Sequence, residues 1–172
     1  MGNPQTTYTL NNKAGLPGML FDNDESNYID SKPCGAVALA AGVAVELVAG
    51  VLVIAQGTGD PDANKLWGVT VFKDSLEPNP TTGAGEYQPG QEVPVLRRGR
   101  IWASVVSGTT ITPGAAANYT HSSTSGAQGT FTTAAVSGVA GSEISATKAI
   151  FYQDGGLASA TPPIACVELN LP

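Results

Sequence analysis

Apolar and polar residues alternate with a period of two in several short stretches of this chain. Gly, Pro, Asn or Asp closes each stretch. Residues 43–48 place Val43, Val45 and Leu47 against Ala44, Glu46 and Val48. Residues 66–72 read LWGVTVF and bring Trp67, Val69 and Val71 together. Residues 164–171, IACVELNL, alternate in the same way. Successive side chains of a strand leave opposite faces, so this period predicts strands. Residues 35–39, 51–56, 92–96, 101–106 and 148–152 complete the predicted set. Turn signals recur about every ten residues, and no solenoid repeat is present. The pattern predicts an all-β chain, an antiparallel sandwich or barrel of jelly-roll-like kind.

The alternation fails before residue 34. Residues 1–19 are dense in turn formers, and residues 21–28 read FDNDESNY. Residues 1–33 are therefore expected to be an N-terminal arm and an acidic loop, and residues 34–172 a single β domain. The acidic loop does not fit a calcium-binding EF-hand, which needs Gly at its sixth position and Glu at its twelfth. Residues 75–91 carry Pro78, Pro80 and Pro89 with Gly83, Gly85 and Gly90. They are predicted to form a long exposed loop, and loops of that length commonly make contacts. The apolar run 34–55 is not a membrane span. Glu46 sits inside it, and glycines at 35, 42 and 50 divide it into strand lengths.

Composition changes the picture in one respect. Of the 172 residues only 13% are charged, against ~25% in ordinary domains. Gly 21 and Pro 12 favour turns over helices, and 42% apolar content excludes disorder. So little charge suits a surface largely covered by other proteins. The net charge of −6, with Lys13, Lys32, Lys65, Lys73 and Lys148 scattered singly, excludes a free-standing nucleic-acid binder. Cys34 and Cys166 show no zinc spacing and are expected to be buried free thiols. The opening MGNPQT matches a myristoylation pattern by letter only. No cofactor or metal is implied.

No catalytic constellation is present. His121, the single histidine, lies in NYTHSSTSG beside Ser122 and Ser123, with no GxSxG elbow. Asn118, Tyr119 and Thr120 spell a glycosylation sequon, with no secretory signal to serve it. All three arginines stand together in VPVLRRGRIWASV, residues 93–105. Arg98 and Gly99 mark a turn or bulge between two strands. On an unbroken strand Arg98 and Arg100 would share a face and Arg97 would oppose them. Such a cluster beside Trp102 is either a solvated turn or a docking site for carboxylates, in this chain or in a partner.

Taken in order, LWGVTVFKDSLEPN, a Gly/Pro loop, QEVPVLRRGRIWASV, a Thr/Gly-rich region and a final VELNLP resemble the structural cement (decoration) proteins of tailed bacteriophages. The resemblance runs over residues 34–172. It implies a noncatalytic β-protein on the outer surface of an icosahedral capsid. That protein would tie major capsid protein subunits together, as a homodimer or homotrimer, without nucleic acid or membrane. Position and composition, not the resemblance, suggest Tyr8, Leu10, Arg97, Arg98, Arg100 and Trp102 as contacts. The competing reading is a carbohydrate-binding or host-attachment β-module of a virion, which needs exposed aromatics. A small hydrolase would need a pocket joining His121 to a carboxylate.

Overall fold

The computed structural model describes residues 15–22, 26–54, 66–78, 85–123, 128–134, 142–145, 148–152 and 163–171. Among them there is no helix, and every pair of strands is antiparallel. The strands are β1 (Tyr28–Pro33), β2 (Leu39–Ala40), β3 (Ala44–Val48), β4 (Val51–Ile54), β5 (Leu66–Thr70), β6 (Glu77–Pro78) and β7 (Gly85–Tyr87). They continue with β8 (Glu92–Ser104), β9 (Asn118–Ser123), β10 (Phe131–Thr132), β11 (Ser142–Ser145), β12 (Ile150–Phe151) and β13 (Ile164–Asn170). The all-β expectation holds.

The principal sheet runs β12-β13-β8-β5-β3-β4, with β1 also paired to β8. Two smaller sheets, β10-β9-β11 and β2-β7-β6, contribute to opposite cores. The first core takes Leu96, Ile101, Ala103, Val167 and Leu169 from the principal sheet and Val105 just beyond β8, with Tyr119 and Phe131 from β9 and β10. The second takes Val45, Leu52, Val93 and Val95, closed by Leu39 and Tyr87 from β2 and β7. The principal sheet does not close into a barrel, although Cys34, just after β1, meets Leu52 of β4 in a single bridge. The layers are those of a sandwich.

β8 is the spine. Its first half is paired with β1 and β5, and its second half with β13. Of the turn and the bulge that Arg98 and Gly99 allowed, the RRGR segment has the bulge. It lies within one continuous strand of 13 residues. Against β1 the register passes from Leu96 to Arg98 and leaves Arg97 unmatched, which is a β-bulge. Gly99, beyond it, has φ +123. The consequence is a change of phase. Leu96 and Ile101 both face the first core, though five positions apart. A regular strand would put them on opposite faces.

Other elements also differ from the sequence reading. Residues 28–33, within the segment read as arm and acidic loop, form β1. The 75–91 loop contains β6 and β7. Tyr87 there is only 2% exposed, and its hydroxyl donates to the Val71 carbonyl. Glu46 is buried, and Tyr119 Oη donates to its Oε1 at 3.1 Å across the sheets. Burial of the carboxylate is offset by that bond.

Gly99 gives the first prediction. A Cβ at this position would run into the Asn27 side-chain oxygen, and its φ disfavours L side chains. Gly99→Ala is expected to lower stability by roughly 1–3 kcal/mol, seen as a lower denaturant midpoint. Asn27→Ala in the same chain relieves the collision but not the backbone strain, so it should recover part of the loss.

Candidate functional site: the arginine joint of β8

The bulge decides where each arginine goes. Val93 and Val95 precede it on the second-core face, and Arg98, Arg100 and Trp102 follow it on the side away from the first core, because odd and even positions exchange roles. Arg98 and Arg100 share a face, as the alternation predicts: their register partners Asn170 and Glu168 stand two apart on β13 with no break between them, and both arginines line one cleft. The expected opposition of Arg97 is not seen, since the bulge leaves it on that side too, over Trp67 of the second core.

Arg97 is half-buried and lies over the ring of Trp67, its Cζ 3.9 Å from the centroid. Lys32 approaches the same ring at 6.0 Å. Arg100 faces Glu168, its register partner on β13, with Nε 2.9 Å from Oε2. Its Nη1 reaches Asp22 Oδ2 at 3.1 Å, and its guanidinium lies 3.9 Å from the Tyr152 ring centroid. The bond to Glu168 is the main reason its pKa is raised, so the charge is permanent. Arg98 is exposed and takes part in none of the ion pairs among the described residues.

Asp22 ends a strap, residues 15–22, that lies along the second half of β8. Gly18 N donates to Trp102 O at 2.7 Å, Trp102 N to Met19 O at 2.9 Å and Phe21 N to Arg100 O at 2.9 Å. Leu20 bridges Ile101 and packs on the first core, while Phe21 packs on the third cluster with Trp102, Ile164 and Cys166. Phe21 stands 5.8 Å from Trp102 and 5.5 Å from Tyr152, ring to ring. Gly15 sits so close to the Trp102 indole that a side chain there would collide with it. Trp102 is accordingly 8% exposed. Neither tryptophan offers an open face to a sugar ring, since Trp67 is under Arg97 and Trp102 under the strap. Tyr8 and Leu10 lie outside the described residues, as do the side chains of His121, Ser122 and Ser123.

A polar cleft of about 190 Å³ opens at the joint, lined by Asp22, Asn27, Arg98, Gly99, Glu168 and Asn170 among others. Asn27 Nδ2 donates to the Asp22 carbonyl at 2.9 Å and closes one side. Among the described residues no cluster of His, Cys, Asp or Glu is arranged to hold a metal. Both cysteines are free and buried. Among the described residues no helix is long and apolar enough to cross a membrane. What this arrangement can do is hold a strap to a sheet and present one cation. Sequence reasoning found the cluster but missed Glu168 and Asp22 as its partners. The signal for Glu168 was available, since the closing strand carries a single acid in VELN.

Two predictions follow from the joint. Arg100→Ala removes two ion pairs and a stacking contact, all partly exposed, so stability should fall by only ~1–2 kcal/mol. The loss should be local, with faster hydrogen exchange at the Gly18 and Phe21 amides than at β5. The second prediction concerns pH. Burial pushes the Cys166 thiol from 9.0 up to about 12 and the Tyr87 hydroxyl from 10.0 up to about 12. Both groups bind their protons more tightly folded than unfolded. Their contribution is full below pH 9 and is lost as pH rises toward 12. Stability should therefore decline across that window, and Cys166→Ala should flatten the decline. At pH 8.5 the folded thiol should resist alkylation.

Comparison with known proteins agrees with this picture. Residues 4–170 match the family described as structural cement protein (E217 gp24/Pam3 gp6). No curated protein sequence matches the chain. Among solved structures, a chain from the capsid of Myoviridae phage XM1 superposes with a TM-score of 0.67. It is 17% identical, and the alignment covers 90% of this chain and 89% of that one. At that identity the likeness is one of fold.

Proposed function

This chain belongs to the phage structural cement protein family, and from that membership we propose that it binds the outer surface of a tailed-phage head and ties neighbouring major capsid protein subunits together. As a member of the family it is a noncatalytic structural component of the virion and associates with capsid proteins. The observation that carries the finer reading is the extent of the match, residues 4–170, which takes in the arm, the strap and the joint together.

The physical features support adhesion. Arg100 and Trp102 are occupied in holding the strap. In our reading Tyr8, Leu10 and Arg98 meet the shell. Arg97, Arg100 and Trp102 serve that contact by fixing the sheet and strap behind it. A standard protein contact buries ~1,600 Å² in total. Engaging several subunits at once, or associating as a homodimer or homotrimer, multiplies a modest contact into strong retention. A net charge of −6 gives the chain no electrostatic attraction to the packaged genome.

The test is reconstitution on heads assembled without this protein. Purified chain added to closed heads is expected to co-sediment with them and raise the temperature at which they rupture. Addition after closure restricts it to the outside. Failure to bind closed heads, combined with incorporation only during assembly, would contradict the outer-surface reading.

A further inference from the structure

We propose that Arg98 and its cleft form the docking point for one carboxylate side chain of the capsid shell. The inference rests on the proposed cement function and names the chemistry of its contact. Charge complementarity within the cleft is the argument. Its two described acids, Asp22 and Glu168, are both engaged by Arg100. Arg98 is the remaining cation, exposed, on the rigid spine of the fold. Its backbone is held in register with Tyr28 of β1 and Asn170 of β13, so the base of the side chain is fixed before any partner arrives. A cleft of about 190 Å³ has room for an acidic side chain.

The chemistry fits the same occupant. Tyr28, the cross-strand partner of Arg98, is 53% exposed, so the guanidinium is not closed off from that side. An Arg fork engages both oxygens of a carboxylate. A second copy of this chain is the less favoured occupant, since each copy carries −6 and copies repel one another at long range.

The experiment is binding of Arg98→Glu, Arg98→Gln and Arg98→Lys chains to closed heads at several salt concentrations, with Lys73→Ala as control. Thermal melts should match the parent, since Arg98 is exposed. Expected are about tenfold or greater weakening for Gln, a larger loss for Glu, partial retention for Lys and no change for the control. The parent's affinity should fall with salt, and the Gln variant should show a shallower dependence. Suppressors of Arg98→Glu selected in the phage should replace an acid of the major capsid protein. Suppressors at Asp24 or Glu25 of this chain would overturn the proposal in favour of an internal pair. Parent-like binding by Arg98→Glu would overturn it while leaving the cement function standing. A change confined to self-association would overturn it in favour of a contact between copies. A parent that does not bind heads would remove the function and the docking point together.

Discussion

One strand has to serve the same core along its whole length, and it does so only by changing phase midway. Leu96 and Ile101 both belong to the first core, yet an uninterrupted pleat would set them on opposite faces. The bulge at Arg97 and the positive φ of Gly99 supply the missing step. Without them, either Val93 and Val95 or Ile101, Ala103 and Val105 would be turned to the wrong side. The largest sheet is assembled on this strand, so both principal cores depend on that joint.

The charges follow from the same constraint. The phase change carries Arg100 to the face where Glu168 stands opposite and Tyr152 lies alongside. It leaves Arg97 over Trp67. Two of the three arginines thus become internal fittings, one against an aromatic ring and one against two acids. Arg100 also holds Asp22 and through it the strap. An adhesive protein gains from this division. The groups that set its shape are spent inside the fold, while Arg98 stays outward. Pre-organisation of that kind lowers the entropy lost when a partner is met.

Much of the fold was legible in the sequence, and the failures have definite causes. The strands at 43–48, 66–72 and 164–171 were readable from their apolar residues, although residues 43–46 and 164–167 are buried on both faces. Trp67 does not share the face of Val69 and Val71 as the alternation predicted: the register shift of β5 against β3 puts it with the second core and them with the first. β1 was not, since YIDSKP is polar, ends in proline and lies among turn formers. β7 hid in a Gly/Pro-rich stretch. Its single cue was Tyr87, an aromatic with a buried hydroxyl partner that only the fold reveals. The arginine segment was located correctly, but a glycine at positive φ serves a turn and a bulge equally well. The faces of the three side chains depended on that choice. The cover over Trp102 was unreadable, because it comes from Gly15 and Phe21, more than eighty positions away. Cross-strand ion pairs such as Arg100–Glu168 likewise need the register, which local alternation does not supply.

A cryo-electron microscopy reconstruction of the virion that encodes this chain, at side-chain resolution, tests the central claim most directly. The account predicts the protein on the outside of the head, with Arg100 still on Glu168 and Asp22 and Arg98 against an acid of the shell. Density for this chain on the inner wall, or Arg98 turned to open solvent while a different face meets the capsid, would contradict it.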